Sequence, residues 1–176
     1  AVGRLTEEQR DGSADVGSPD PARFPRRVPR AALRPPVELT HGTGVELPGR
    51  RVVVAADRGG IAEALTECLH NVGAEALVLD PSDPHEQIAD HLERWRADGP
   101  IHGLYWLPAA DVEADLEAMD AEAWRAAVDL RVTALHRTLR ALDGTIVGDG
   151  SFLVAATRMG GLHGYGPDGA TAPLGG

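Results

Sequence analysis

The chain has 176 residues, enough for one domain, and a formal net charge of −10 at neutral pH. That charge argues against nucleic acid or an anionic membrane as a main partner, and no apolar run approaches the roughly 20 residues of a membrane span. All 17 basic residues are arginine, so no mechanism that needs a lysine runs on this chain alone. A single cysteine, Cys68, excludes an internal disulfide and fits a reducing cytoplasm, and no N-terminal stretch has the layout of a signal peptide. Aromatics are only 4% of the residues, which leaves an aliphatic core of Ala, Val and Leu.

Residues 1 to about 22 are Asp, Glu, Gly, Ser and Pro with almost nothing to bury, the composition of a disordered linker. Residues 23–36 mix five arginines with four prolines, which favours extended backbone laid along a neighbouring surface. The expected division is a linker over 1–47 and a folded unit over 48–176. Arg51 to Ala56 is a short β-branched run, broken by Asp57-Arg58-Gly59-Gly60. Ile61, Leu65 and Leu69 then recur at helical spacing, Gly73 stops the helix, and Ala76 to Asp80 is a second apolar run. Strand, glycine turn, helix and strand make a βαβ unit with a right-handed crossover and parallel strands. Cys68, beside these apolar helix positions, reads as a small core residue.

Asp83, Pro84 and Glu86 suit the N-cap, first position and capping-box acid of a second helix, which carries Ile88, Leu92 and Trp95 on one face. Gly99-Pro100 ends it, and Ile101 to Leu107 is a third strand. The acidic stretch from Asp111 to Asp120 reads as a solvated face. A third helix from about Ala121 carries Val128, Val132, Leu135, Leu139 and Leu142 as a single apolar stripe. Phe152 to Ala156 is a fourth strand, followed by glycine-rich sequence. Four strands alternating with three helices predict an α/β Rossmann-like open parallel sheet. The pattern looks unfinished, as if cut from a longer polypeptide, with the fourth strand left as an unprotected edge.

The strand and glycine turn from Val52 to Leu65 resemble those of the short-chain dehydrogenase/reductase superfamily, and Tyr105-Trp106-Leu107-Pro108 resembles the strand that walls their cofactor. Phe152 to Arg158, with Gly160-Gly161-Leu162-His163-Gly164-Tyr165-Gly166, resembles one branch more closely. That branch is the ketoreductase region of type I polyketide synthases and polyunsaturated-fatty-acid-type synthases. The resemblance covers about residues 23–176 and is diffuse. It implies two Rossmann-like halves, of which the N-terminal half is structural and the C-terminal half binds NADPH and reduces a β-ketoacyl group.

Departures from the family pattern point to the structural half. The three family glycines fall on Ala56, Gly60 and Ala62, and Asp57 sets a carboxylate beside any phosphate, repulsive unless Arg58 offsets it. Gly59 and Gly60 still offer backbone N–H groups at a helix start and are the candidate cofactor-binding positions. Asp80, twenty residues past Gly60, stands where an acid grips a ribose 2′-hydroxyl; the alternative is a polar turn residue. The family lysine matches Arg131, the serine falls on Ala156 or Thr157, and the tyrosine on the region of Ala170, where there is none. Tyr165 comes too early. Arg131, Thr157 and Tyr165 are thus degenerate catalytic positions, although in principle they make a substitute trio. The resemblance implies no cofactor on this half. Its expected partners are the catalytic half and the acyl-carrier domain of the same polypeptide. The alternative is an NAD(P)H-dependent reductase with catalytic residues beyond Gly176. Seven histidines without a metal-binding spacing give no metal site.

Overall fold

The computed structural model describes residues 44–146, 148–160, 164, 169–170 and 172–175. The linker expected over 1–47 lies outside them, apart from its last four residues. Four strands form one parallel sheet: β1 (Arg51–Ala55), β2 (Glu75–Leu79), β3 (Gly103–Trp106) and β4 (Phe152–Ala155), in the order β2-β1-β3-β4. β1 sets Val53 opposite both Leu77 of β2 and Leu104 of β3. Helix α1 (Ile61–Asn71) joins β1 to β2, and α2 (His85–Asp98) carries the chain back across β1 to β3. The architecture is the expected Rossmann-like α/β sheet.

The central strands are apolar because both faces are covered. Val53, Ala55, Leu77, Leu79, Leu104 and Trp106 meet Ile88 and Leu92 of α2 on one face. Val54 meets Ala62 and Leu69 of α1 on the other. Leu69, Leu79, Leu92 and Leu104 are each at most 2% exposed, and burial of each contributes about 1.5–3 kcal/mol. Arg51 fastens α2 to the sheet: its Nη1 donates to the carbonyls of Trp95 (2.7 Å) and Gly99 (2.9 Å), where the end of a helix leaves carbonyls without partners.

Three local readings are corrected. The N-cap of α2 is Pro84, not Asp83, and no side chain caps it; the Asp83 backbone instead closes a turn onto Asp80. Cys68 is exposed, because α1 turns Ala62 and Leu69 to the sheet and Cys68 falls on the flank. The third helix is not uniform. It consists of α3 (Ala121–Val128), a π-turn (Asp129–Thr133) and α4 (Ala134–Ala141), helical throughout.

β4 is the last strand on its side of the sheet among the described residues. Gly103 lets it approach, since a β-carbon there would collide with the Phe152 ring. Phe152 stacks edge-on against Tyr105, with ring centres 5.2 Å apart. Leu153 and Val154 remain 46% and 43% exposed.

Candidate functional site

The chain leaves β1 for β2 on one side and returns to β3 on the other. A crevice therefore opens at the carboxyl ends of β1 and β3, the place where open α/β sheets bind ligands. Ala56, Asp57, Arg58, Asp80, Ser82, Pro108 and Asp111 are among the residues that line it, around a cavity of about 120 Å³. That is well below the roughly 300–1,000 Å³ usual for a ligand pocket.

Four backbone donors of the glycine turn, those of Arg58, Gly59, Ile61 and Ala62, are already taken. Asp57 Oδ2 accepts from the N–H groups of Gly59 (2.9 Å) and Ile61 (3.0 Å), and Asp57 Oδ1 from Ala62 (2.7 Å). Both oxygens of Asp111 accept from the Arg58 N–H, at 2.9 and 3.1 Å. Gly60, with φ +88°, makes the left-handed step that starts α1. A β-carbon at Gly59 would stand 3.0 Å from Asp57 Oδ2, so this glycine makes room for the protein's own carboxylate. Burial pushes the Asp57 carboxyl up, but the N–H groups of Ala62, Ile61, Asp57 itself and Gly59 outweigh it and hold the carboxyl below its ordinary value. Two side chains thus fill the positive end of α1, where an anion would sit.

Asp80 turns onto Ser82, whose Oγ (2.6 Å) and N–H (2.8 Å) both donate to Asp80 Oδ1. The Ser82 hydroxyl and then its N–H lower the Asp80 pKa; burial opposes them, and the charge of Arg58 adds a smaller lowering. A larger cavity of about 550 Å³ adjoins this one, with Arg58, Pro81 and Ser82 lining both. Its wall includes Asp83, Glu113 and Asp129. The two cavities together are lined by six carboxylates and two guanidiniums, Arg58 and Arg131.

Arg131 is 7% exposed and sits in the π-turn. Its Nε lies 3.0 Å from Glu113 Oε1, but no N–H is aligned on that oxygen, so the contact is an ion pair and not a hydrogen bond. Glu113 also accepts the Leu174 N–H, 3.2 Å from each oxygen. The fully buried Trp106 donates its indole N–H to the Arg131 carbonyl at 3.0 Å. Glu113 and Asp111 belong to the stretch read from sequence as solvated; that reading is corrected for Glu113, whose side chain is 1% exposed, while Asp115, Glu117 and Asp120 are exposed. Among the described residues the structure joins Arg131 to Glu113, not to Thr157, which is exposed just beyond β4. Tyr165 lies outside the described residues.

No protein-family model matches the sequence, and no curated protein is significantly similar to it. Solved structures do resemble it. One is a gluconate 5-dehydrogenase from Burkholderia cenocepacia in complex with NADP and tartrate, 17% identical with TM-score 0.56, over 73% of this chain and 60% of that one. A short-chain dehydrogenase/reductase from Serratia marcescens is 15% identical with TM-score 0.58, over 74% of this chain and 66% of that one. The chain has the short-chain dehydrogenase/reductase fold. An aldohexose dehydrogenase from Thermoplasma acidophilum, in ligand-free form, is 17% identical with TM-score 0.55, over 73% of this chain and 56% of that one. The chain spans 56% to 66% of the length of these three relatives in fold.

Proposed function

We propose that this chain is the structural, non-catalytic half of the β-ketoacyl reductase region of a multidomain polyketide or fatty acid synthase. In this role it supports an NADPH-dependent catalytic half and an acyl-carrier domain of the same polypeptide. One observation carries the non-binding part of the reading: Asp57 and Asp111 hold the backbone donors of Arg58, Gly59, Ile61 and Ala62. A dinucleotide needs such donors for its pyrophosphate, and here it would meet two carboxylates in their place. The synthase context rests on the sequence resemblance from Phe152 onward. Arg131 is engaged with Glu113, and arginine does not stand in for the lysine that serves a tyrosine in such reductases.

The second reading is an NAD(P)H-dependent reductase whose nucleotide displaces Asp57 from Gly59 and whose Asp80 turns to a ribose. The fold shared with an NADP-bound dehydrogenase favours it. Titration of the folded chain with NADPH and NADH, followed by cofactor fluorescence, separates the two. We expect no saturable binding up to about millimolar cofactor, with circular dichroism confirming the fold. Binding at about micromolar concentration, the range of working enzymes, sinks the structural reading.

A further inference from the structure

We propose that Ala172–Gly175 is a strap that shuts the side of the crevice at the carboxyl ends of β3 and β4, and that Glu113 is the latch that holds it. Asp57 and Asp111 fill the side next to β1 and α1. The strap acts on the other side, so the proposal goes beyond the glycine turn and stands whichever way the nucleotide question is answered.

The strap is fastened to both strands it covers. β3 ends at Trp106 and passes into a short 3₁₀ turn, Pro108–Ala110, whose three residues are all buried. β4 runs out through Arg158. The Ala172 N–H donates to the Arg158 carbonyl at 3.1 Å, an isolated antiparallel bridge, and Ala172 is fully buried. A second 3₁₀ turn, Pro173–Gly175, then lies on Pro108–Ala110, on α3 and on the π-turn. Gly175 is the tight point. A β-carbon there would collide with that of Ala109, so a larger residue would hold the strap off.

Glu113 joins the strap to the third helix. A buried carboxylate needs both an opposite charge and hydrogen bonds. Arg131 supplies the charge, but its Nε makes no hydrogen bond. The Leu174 N–H, 3.2 Å from each Glu113 oxygen, supplies a bond that the ion pair does not. Glu113 and Arg131 also line the cavity of about 550 Å³, so a molecule entering that cavity meets the latch. The strap has a consequence for which ligands fit. A dinucleotide spreads across the point where the strand order reverses. If Asp80, at the end of β2, marks the ribose of one half, the other half falls toward β3 and β4, where the strap lies. A dinucleotide therefore needs the strap to leave, and a mononucleotide does not.

Thiol labelling and amide exchange on the full chain test this. Ala110, under the strap, is 6% exposed. In a Cys68→Ser background, Ala110→Cys should react slowly with iodoacetamide. Adding Gly175→Val should speed that reaction by about tenfold or more, with an unchanged circular dichroism spectrum. Gly175→Ala, a smaller wedge, should give a smaller acceleration. Gly148→Ala, where a β-carbon meets nothing closer than 4.0 Å, should give none. Glu113→Gln should raise exchange of the Leu174 N–H by about tenfold, as the loss of a hydrogen bond to a charged group does. A thiol at position 110 that is equally slow with and without Gly175→Val overturns the proposal. So does Leu174 exchange that Glu113→Gln leaves unmoved.

Discussion

Asp57 shows what one carboxylate does to a glycine turn. It lies ahead of α1 and satisfies donors that the first turn of a helix cannot satisfy itself. Its folded pKa is below the ordinary 3.8, so the unfolded chain binds the proton more readily. The stabilisation is therefore complete above the unfolded pKa and is lost as pH falls below it, through the folded value. Asp80 adds to the same acid limb, because Ser82 lowers its pKa too. Urea midpoints at pH 6, 4 and 3 should show stability falling below about pH 4, and Asp57→Asn should flatten that fall. Equal pH slopes in the two proteins would discard the argument. Replacement of Asp57 by Ala should also cost about 1 kcal/mol at pH 7, as the loss of a helix cap does. The sequence displayed Asp57 as a charge in the way of phosphate. It did not display Asp57 as the occupant, because that depends on Gly59 leaving space and on Gly60 turning the chain. The signal was present in retrospect: an Asp one residue ahead of two glycines, just before an apolar helix, is also a capping pattern.

At the scale of the element, the π-turn is the pivot of the third helix. Trp106 fixes its carbonyl side and Glu113 its guanidinium, while Leu174 closes on Glu113 from the C-terminal segment. Removal of one partner of a buried ion pair leaves the other charged and alone, at a cost of about 3–5 kcal/mol. Glu113→Ala should therefore lower the urea midpoint sharply. The pair Glu113→Met with Arg131→Leu should recover most of that loss, since apolar replacement of both charges is often neutral. If the double variant is as weak as the single one, the Leu174 contact and not the ion pair accounts for the stability. None of this was visible in the sequence. Spacings of 4, 3, 4 and 3 along the apolar stripe fit an unbroken α-helix, and they fix which residues face the core without fixing the local pitch. An acidic run reads as solvated until a buried arginine is found opposite one member.

For the whole molecule, the number and direction of the strands were legible. Four β-branched or apolar runs separated by helical repeats leave few alternatives to a parallel sheet. So was the exposed last strand. β4 presents Leu153 and Val154 to solvent at the rim of the sheet, and such an edge pairs readily with other chains. Val154→Lys should slow aggregation on heating, measured by light scattering, with little change in the melting temperature. Unchanged scattering would place the aggregating surface elsewhere. Among the described residues the sheet has four strands, with β2 and β4 at its edges, and buries limited apolar area, so we expect a melting temperature within the usual mesophile range, up to about 65 °C. A sharp two-state melt well above that value would mean that the core is more complete than the strand count suggests.

The occupied end of α1 has a consequence for how such a fold depends on supply. A protein stabilised by a soluble ligand gains about 2.7 kcal/mol at a hundred times the dissociation constant, and loses it when the ligand runs short. Asp57 acts as a ligand on a tether three residues long, at a local concentration of about millimolar or more, and it is never depleted. The helix start is therefore saturated from the moment the chain folds. Its geometry is expected to stay the same whether nicotinamide cofactor is abundant, scarce or oxidised.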